Sequence, residues 1–225
     1  MLPTPTILYE DNHLLVLNKP PGWLVQGDRT GDPTLSDWGK DYLKHKYSKP
    51  GAVFLHPVHR IDRPVSGAVL LARTDKALSR LTELFRRQQV HKTYWALTEK
   101  APRPQADTLR HHLLKDEQRN VVKAFAEARA GSKESLTRYE WAGQVGRLHL
   151  LQVQPLTGRP HQIRVQLAAI GCPIVGDLKY GAAAPLPDAS IGLHCRSMQF
   201  EHPVQRIPMH VLAPPPPADW WALLP

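Results

Sequence analysis

The sequence predicts an α+β domain built on a mixed, largely antiparallel sheet flanked by a few helices and loops. Three observations carry that prediction. Short apolar and β-branched runs recur along the chain, bounded by turns rich in Gly, Pro and Asp. A few segments, near residues 35–47, 75–87 and 161–170, read as helices from apolar spacing or from a closing glycine. No internal repeat and no long linker divides the 225 residues.

The elements follow in order. Residues 6–19, TILYEDNHLLVLNK, read as two short strands around the polar turn Glu10-Asp11-Asn12, and Pro20-Pro21-Gly22 ends them. Asp32 to Thr34 can start a helix that carries Leu35, Trp38, Tyr42 and Leu43 through Tyr47, before Pro50-Gly51. Ala68 to Ala72 is a continuous apolar run, the mark of a buried strand. Thr74 or Asp75 then caps a helix with Ala77, Leu78, Leu81, Leu84 and Phe85 on one face. Its Arg86-Arg87 end suits the negative pole of the helix dipole. His91 to Thr98 is a strand. The polar stretch 100–133 reads as a peripheral insertion with a possible hairpin. Leu136–Ala142 and Arg147–Gln154 form an antiparallel pair around residues 143–146. A helix over His161–Ile170 stops at Gly171, where a C′ glycine belongs. Strands near Ile191–Phe200 and Met209–Leu212 follow, and Pro214–Pro217 must be extended and leads a surface tail. The expected organisation is one domain over 1–213 and a Pro-rich tail over 214–225.

Charge narrows the partners. The chain holds 29 Lys and Arg against 20 Asp and Glu, a formal net charge of +9, which points to an anionic partner, nucleic acid first and an anionic membrane second. No apolar run approaches the roughly 18 residues of a membrane span, and no basic-then-apolar leader opens the chain. Two cysteines, Cys172 and Cys195, make neither a disulfide framework nor a zinc set and suit a reducing cytoplasm. Twelve histidines invite a metal, but His56 with His59 and the adjacent His111-His112 lack zinc spacing, so no metal is expected. Without a P-loop or a GxGxxG stretch, no nucleotide cofactor is expected either.

Candidate chemistry centres on HPVHRIDRPVSGAVLLART, His56 to Thr74, where Asp62 stands between Arg60 and Arg63. Pro64 restricts the turn and Gly67 permits tight backbone geometry at the start of the strand. Flanking arginines favour the ionised carboxylate, which can act as nucleophile or base. It can equally be an ion-pair partner that fixes the turn. A second basic cluster, Arg159, His161 and Arg164, falls at the start of the third helix, where an anion would fit; a solvated basic face is the alternative. Tyr94, on a strand with Lys92 on its side, can stack on a base or simply fill a core.

Taken together, these stretches resemble the RluA-type pseudouridine synthases. HRIDRPVSGAVLLAR resembles their catalytic motif, NKPPG (Asn18–Gly22) their first motif, and KTYWAL (Lys92–Leu97) their K-x-Y-x-A strand. PLTGRPHQIRVQLAAIGCPIVGDLKYG (Pro155–Gly181) is similar to their long third motif. The four come in family order. The resemblance implies a pseudouridine-synthase-like catalytic domain that isomerises a uridine in structured rRNA or tRNA, without cofactor or metal, as a cytoplasmic monomer. It implies Asp62 as nucleophile, Tyr94 packed on the target base, Arg164 paired with the catalytic carboxylate, and Arg60 displacing the target nucleotide from its stack. His59 and His161 join them as substrate-contacting candidates. Ile61, Val65 and Pro160 depart from the usual Leu, Thr and Thr, and Pro160 suits a first helical turn. With NKPPG starting at residue 18, a stand-alone catalytic domain without the family's S4-type RNA-binding domain is expected. The rival readings are a non-catalytic RNA-binding protein on the same fold and a metal-dependent phosphodiesterase using Asp62 and His59.

Overall fold

The first apolar run becomes the strand that organises its neighbours. In the computed structural model, which describes residues 2–28 and 30–222, β1 (Thr6–Glu10) turns into β2 (Leu14–Lys19). Asp11 makes that turn: its Oδ1 accepts from the backbone N–H of His13 at 2.8 Å and of Leu14 at 2.7 Å. Leu14, Leu15, Val16 and Leu17 are fully buried. After α1 (Leu35–Lys46) and β3 (His56–Pro57) comes β4 (Ser66–Ala72), buried at every position and antiparallel to both β2 and β3. Each large aliphatic side chain so enclosed contributes roughly 1.5–3 kcal/mol.

The helices start where their caps place them. Thr34 accepts the Asp37 N–H at the start of α1, and Thr74 accepts the Ala77 N–H at the start of α2 (Asp75–Arg86).

The chain forms two compact units. The first gathers the residues up to 91 with 195–216, the second 92–194 with the segment from 217 onward. In the first, β10 (Leu193–Glu201) lies beside β4 and pairs antiparallel with β11 (Pro208–Leu212). Gly67 makes the β4–β10 approach possible. Its φ is +118°, and a Cβ there would collide with the backbone of Cys195, reaching 2.7 Å from its Cα.

In the second unit, β5 (His91–Thr98) pairs with β9 (Leu148–Pro155), β9 with β8 (Lys133–Val145), β8 with β6 (Ala106–Asp116) and β6 with β7 (Val121–Phe125), all antiparallel. The hairpin expected within 100–133 is β6–β7, and β6 is a full sheet strand paired on both edges. β8 runs past the expected turn at Gly143, because that glycine, with φ +139°, absorbs a bulge and the strand continues to Val145.

α3 (Gln162–Ala169) packs on this sheet with Gln162 to Leu167 all buried. Two of its glutamines, one helical turn apart, reach a polar seam of the sheet. Gln162 Nε2 donates to Leu136 O and Thr137 Oγ1, both at 2.8 Å, and Gln166 Oε1 accepts from Thr137 Oγ1 at 2.7 Å. These bonds satisfy groups that would otherwise be costly to bury. They also explain the weak apolar spacing of this helix.

The chain's end departs from a surface tail. Past the four prolines, Asp219–Ala222 forms a short helical turn, α4, whose Trp221 is 4% exposed. Residues 223–225 of the expected tail lie outside the described residues. No helix among the described residues is long and apolar enough to cross a membrane.

Candidate active site

Asp62 sits in the loop between β3 and β4, in a turn closed by the Val65 N–H on the Asp62 carbonyl at 3.0 Å. Its side chain is half-buried. The turn is braced from below by the NKPPG segment. Lys19, at the end of β2, is fully buried and points its ammonium at three backbone carbonyls: Trp23 O at 2.9 Å, Pro20 O and Arg63 O at 3.1 Å. The Gly22 N–H donates to Arg63 O at 2.9 Å. Three carbonyls are the full acceptor set for an ammonium's three protons.

Burial pulls Lys19 down to about 7, against the attraction of the nearby Asp62 charge and with the help of Arg63. Between pH 7 and the ordinary lysine value of 10.5, the unfolded chain therefore holds a proton that the folded chain has shed. Stability tied to this group rises with pH across that window and is flat below it. Against a Lys19→Met variant, the wild type should gain about 1 kcal/mol per pH unit between pH 7.5 and 9.5, read from denaturant midpoints. A pH-independent difference would mean that the carbonyl cage keeps the ammonium charged throughout.

The arginines beside Asp62 have separate tasks. Arg63 turns away: its Nη1 pairs with Asp32 Oδ2 at 2.7 Å and its Nε donates to Gly22 O at 3.1 Å. The flanking-pair reading of Asp62 with Arg63 is thereby set aside. Arg60 is exposed and, among the described residues, has no hydrogen-bond or ion-pair partner. His59 faces inward: its Nε2 accepts the Leu70 N–H of β4 at 3.0 Å, and its ring stacks on Phe85 with centroids 5.2 Å apart. In the neutral ring this puts the proton on Nδ1. His59 thus ties the loop to the strand behind it.

The second unit carries the other candidates. Tyr94 lies in β5 opposite Val153 and is 7% exposed. Arg164 is buried on α3 and held as a fork by Asp177, Nε on Oδ2 at 2.7 Å and Nη2 on Oδ1 at 2.8 Å, with Asp177 itself 1% exposed. The guanidinium also lies 5.1 Å from the centre of the Tyr180 ring. His161 is outside the helix, in a left-handed conformation with φ +52°, and its Nδ1 meets the Tyr180 hydroxyl at 2.7 Å. The same hydroxyl accepts the Val122 N–H at 3.0 Å.

At the expected cluster of Arg159, His161 and Arg164, Pro160 and His161 precede the helix, Arg159 Nε donates to Glu134 O at 3.1 Å, and Arg164 is forked to Asp177. Two essential supports were not singled out from sequence: Lys19, a lone cation closing an apolar strand, and Asp177, an acid in a Gly-flanked turn within the third motif. Among the described residues no three His, Cys, Asp or Glu side chains gather in a way that could hold a metal ion.

Comparison with known proteins fits this arrangement. Residues 13–169 match the family model described as RNA pseudouridylate synthase. The chain is 36% identical over 214 residues to the ribosomal large subunit pseudouridine synthase C of Vibrio vulnificus, covering 92% of this chain and 65% of that protein's length. Among solved structures it resembles Human RNA Pseudouridylate Synthase Domain Containing 4, with TM-score 0.75 and 26% identity over 92% of this chain and 87% of that one. Human RNA Pseudouridylate Synthase Domain Containing 1 is similar, with TM-score 0.72 and 25% identity over 95% and 84% of the two chains. A half-buried carboxylate on a braced turn, a buried strand tyrosine and a forked arginine thus stand in a chain that matches one family model along most of its length, and the chain belongs to the RNA pseudouridylate synthase family.

Proposed function

We propose that this protein isomerises a specific uridine to pseudouridine in structured RNA, with Asp62 as the nucleophile. The observation that carries the reading is the Asp62 turn itself, fixed by Lys19, Gly22 and Val65 inside a family match that spans it. The reaction needs no external oxidant or reductant. Asp62 adds to the target nucleoside, the N1–C1′ bond breaks, and the uracil rotates while held. C5 then bonds to C1′, the C5 proton leaves, N1 gains one, and Asp62 is released.

The further roles are those that the family resemblance implies. Tyr94 supplies a nearly buried aromatic wall against which the detached base can turn. Arg164, aimed by Asp177, is assigned to the Asp62 carboxylate during the reaction. Arg60, an exposed cation next to the nucleophile, is assigned to the gap left when the target base flips out. Ribosomal RNA is the substrate class favoured by the relative from Vibrio vulnificus, with transfer RNA as the alternative. The net charge of +9 supplies the phosphate attraction. The two cysteines are free and buried, which suits the reducing cytoplasm in which we place a monomeric enzyme.

The direct test incubates the purified chain with unmodified large-subunit rRNA and tRNA transcripts in buffer with EDTA, then maps pseudouridine by carbodiimide chemistry. Conversion of one or a few uridines is expected. Binding without conversion of any transcript would favour the non-catalytic RNA-binding reading.

A further inference from the structure

The C-terminal segment lies beyond the matched family residues, and its aromatic side chains pack on one apolar strip formed by β5 and β9. Alternation along β5 puts Tyr94 on one face and Trp95 on the other. On the Trp95 side, Leu97 and its cross-strand partner Leu150 form an apolar strip, and Trp221 of α4 closes it. Leu97 is fully buried, and Leu150 and Trp221 are 5% and 4% exposed. Ala218, Trp220, Leu148 and Val175 pack around them, and the Trp221 ring meets the buried His194 ring with centroids 5.8 Å apart. A helical turn of four residues has no stability of its own, so α4 exists because Trp221 is buried there. Pro214–Pro217 leads into it as a stiff extended spacer.

We infer that α4 is a buttress for β5, and that Trp221 is a positioning residue for Tyr94. Tyr94 needs such a support under the proposed function, since a wall for a rotating base works only while its strand stays still. β5 is gripped from the Trp95 face by α4, so the tyrosine on the opposite face inherits the strand's rigidity. The inference also removes Trp221 from the set of residues that could read the RNA: its ring is committed to the strand.

The test uses full-length Trp221→Ala and Trp221→Phe. Amide exchange followed by mass spectrometry should show the amides of Tyr94–Leu97 opening about tenfold faster in Trp221→Ala, with β1 and β2 unchanged and with Trp221→Phe close to wild type. Uniform acceleration across the chain, or none in β5, would overturn the inference whatever the RNA activity proves to be. With a converted transcript in hand, the single-turnover rate at saturating RNA should fall about tenfold in Trp221→Ala at unchanged RNA affinity, and much less once the Tyr94 ring is already removed by Tyr94→Leu, because coupled residues are non-additive. Weakened RNA affinity at an unchanged saturated rate would make Trp221 an RNA contact and sink the buttress. Loss of activity in the wild type with β5-specific exchange intact would count against the proposed function alone.

Discussion

Asp62→Asn should abolish pseudouridine formation while leaving RNA binding close to wild type. The substitution keeps the shape of the side chain and the backbone turn, since the bond that closes it uses the Asp62 carbonyl and the Val65 N–H. What it removes is the anionic oxygen that attacks. An amide is a far poorer nucleophile, so the single-turnover rate should drop by about four orders of magnitude or more, the scale on which removal of an enzymatic nucleophile is felt. RNA affinity depends on phosphate contacts from Lys and Arg and should change by only a few-fold. The measurement is conversion of a mapped uridine at saturating RNA, beside a binding isotherm at fixed salt. A variant that retains a tenth of wild-type activity would end the nucleophile assignment. The phosphodiesterase rival is addressed by the same samples, because it requires strand cleavage that EDTA suppresses.

Much of this molecule could be read from residues alone, for identifiable reasons. α1 and α2 begin within the expected starts, Asp32 to Thr34 for the first and Thr74 or Asp75 for the second, because a hydroxyl that accepts the third N–H is a local signal. β5 has the expected limits, since its apolar run is bounded by polar residues. The errors fall where a local rule meets a tertiary demand. His161 takes a left-handed conformation to reach Tyr180, which lies nineteen residues on, so the helix starts one residue later than its sequence suggests. Gly143 looked like a turn and is a bulge, because β9 continues alongside it. Trp221 looked like part of a tail, and only the strip formed by Leu97 and Leu150 shows where it goes.

The site divides in the same way. Asp62, Tyr94, Arg164 and Arg60 were nominated by motif, whereas the groups that hold them were not. Lys19 reaches Arg63 O across 44 residues and Asp177 reaches Arg164 across 13, and no spacing rule connects either pair. A side chain that does chemistry is often recognisable by its neighbours in sequence. The side chain that aims it is recognisable only by its neighbours in space.

Asp177 is therefore where a substitution far from the nucleophile in sequence should be felt most. The carboxylate accepts both donors of the Arg164 fork, and its backbone carbonyl accepts the N–H groups of Tyr180 at 3.0 Å and Ala182 at 3.1 Å, which shapes the turn below. In Asp177→Asn the backbone role survives, but one oxygen becomes an NH2 group that confronts an arginine donor. The charge balance of a buried pair is lost at the same time. Breaking such a pair by altering one partner typically costs about 3–5 kcal/mol, because the remaining charge stays buried and uncompensated. Asp177→Asn should therefore melt well below wild type. In the folded fraction at low temperature the single-turnover rate should fall by roughly a hundredfold, the loss expected when a catalytic cation is misaimed. RNA affinity should hold, since neither Arg164 nor Asp177 is exposed. Asp177→Glu separates the two effects: it restores the charge but cannot seat both oxygens in the same place, so stability should recover more than rate. A folded Asp177→Asn protein that converts RNA at the wild-type rate would show that Arg164 needs no aiming, and would leave the Arg164–Asp177 fork as a purely structural pair.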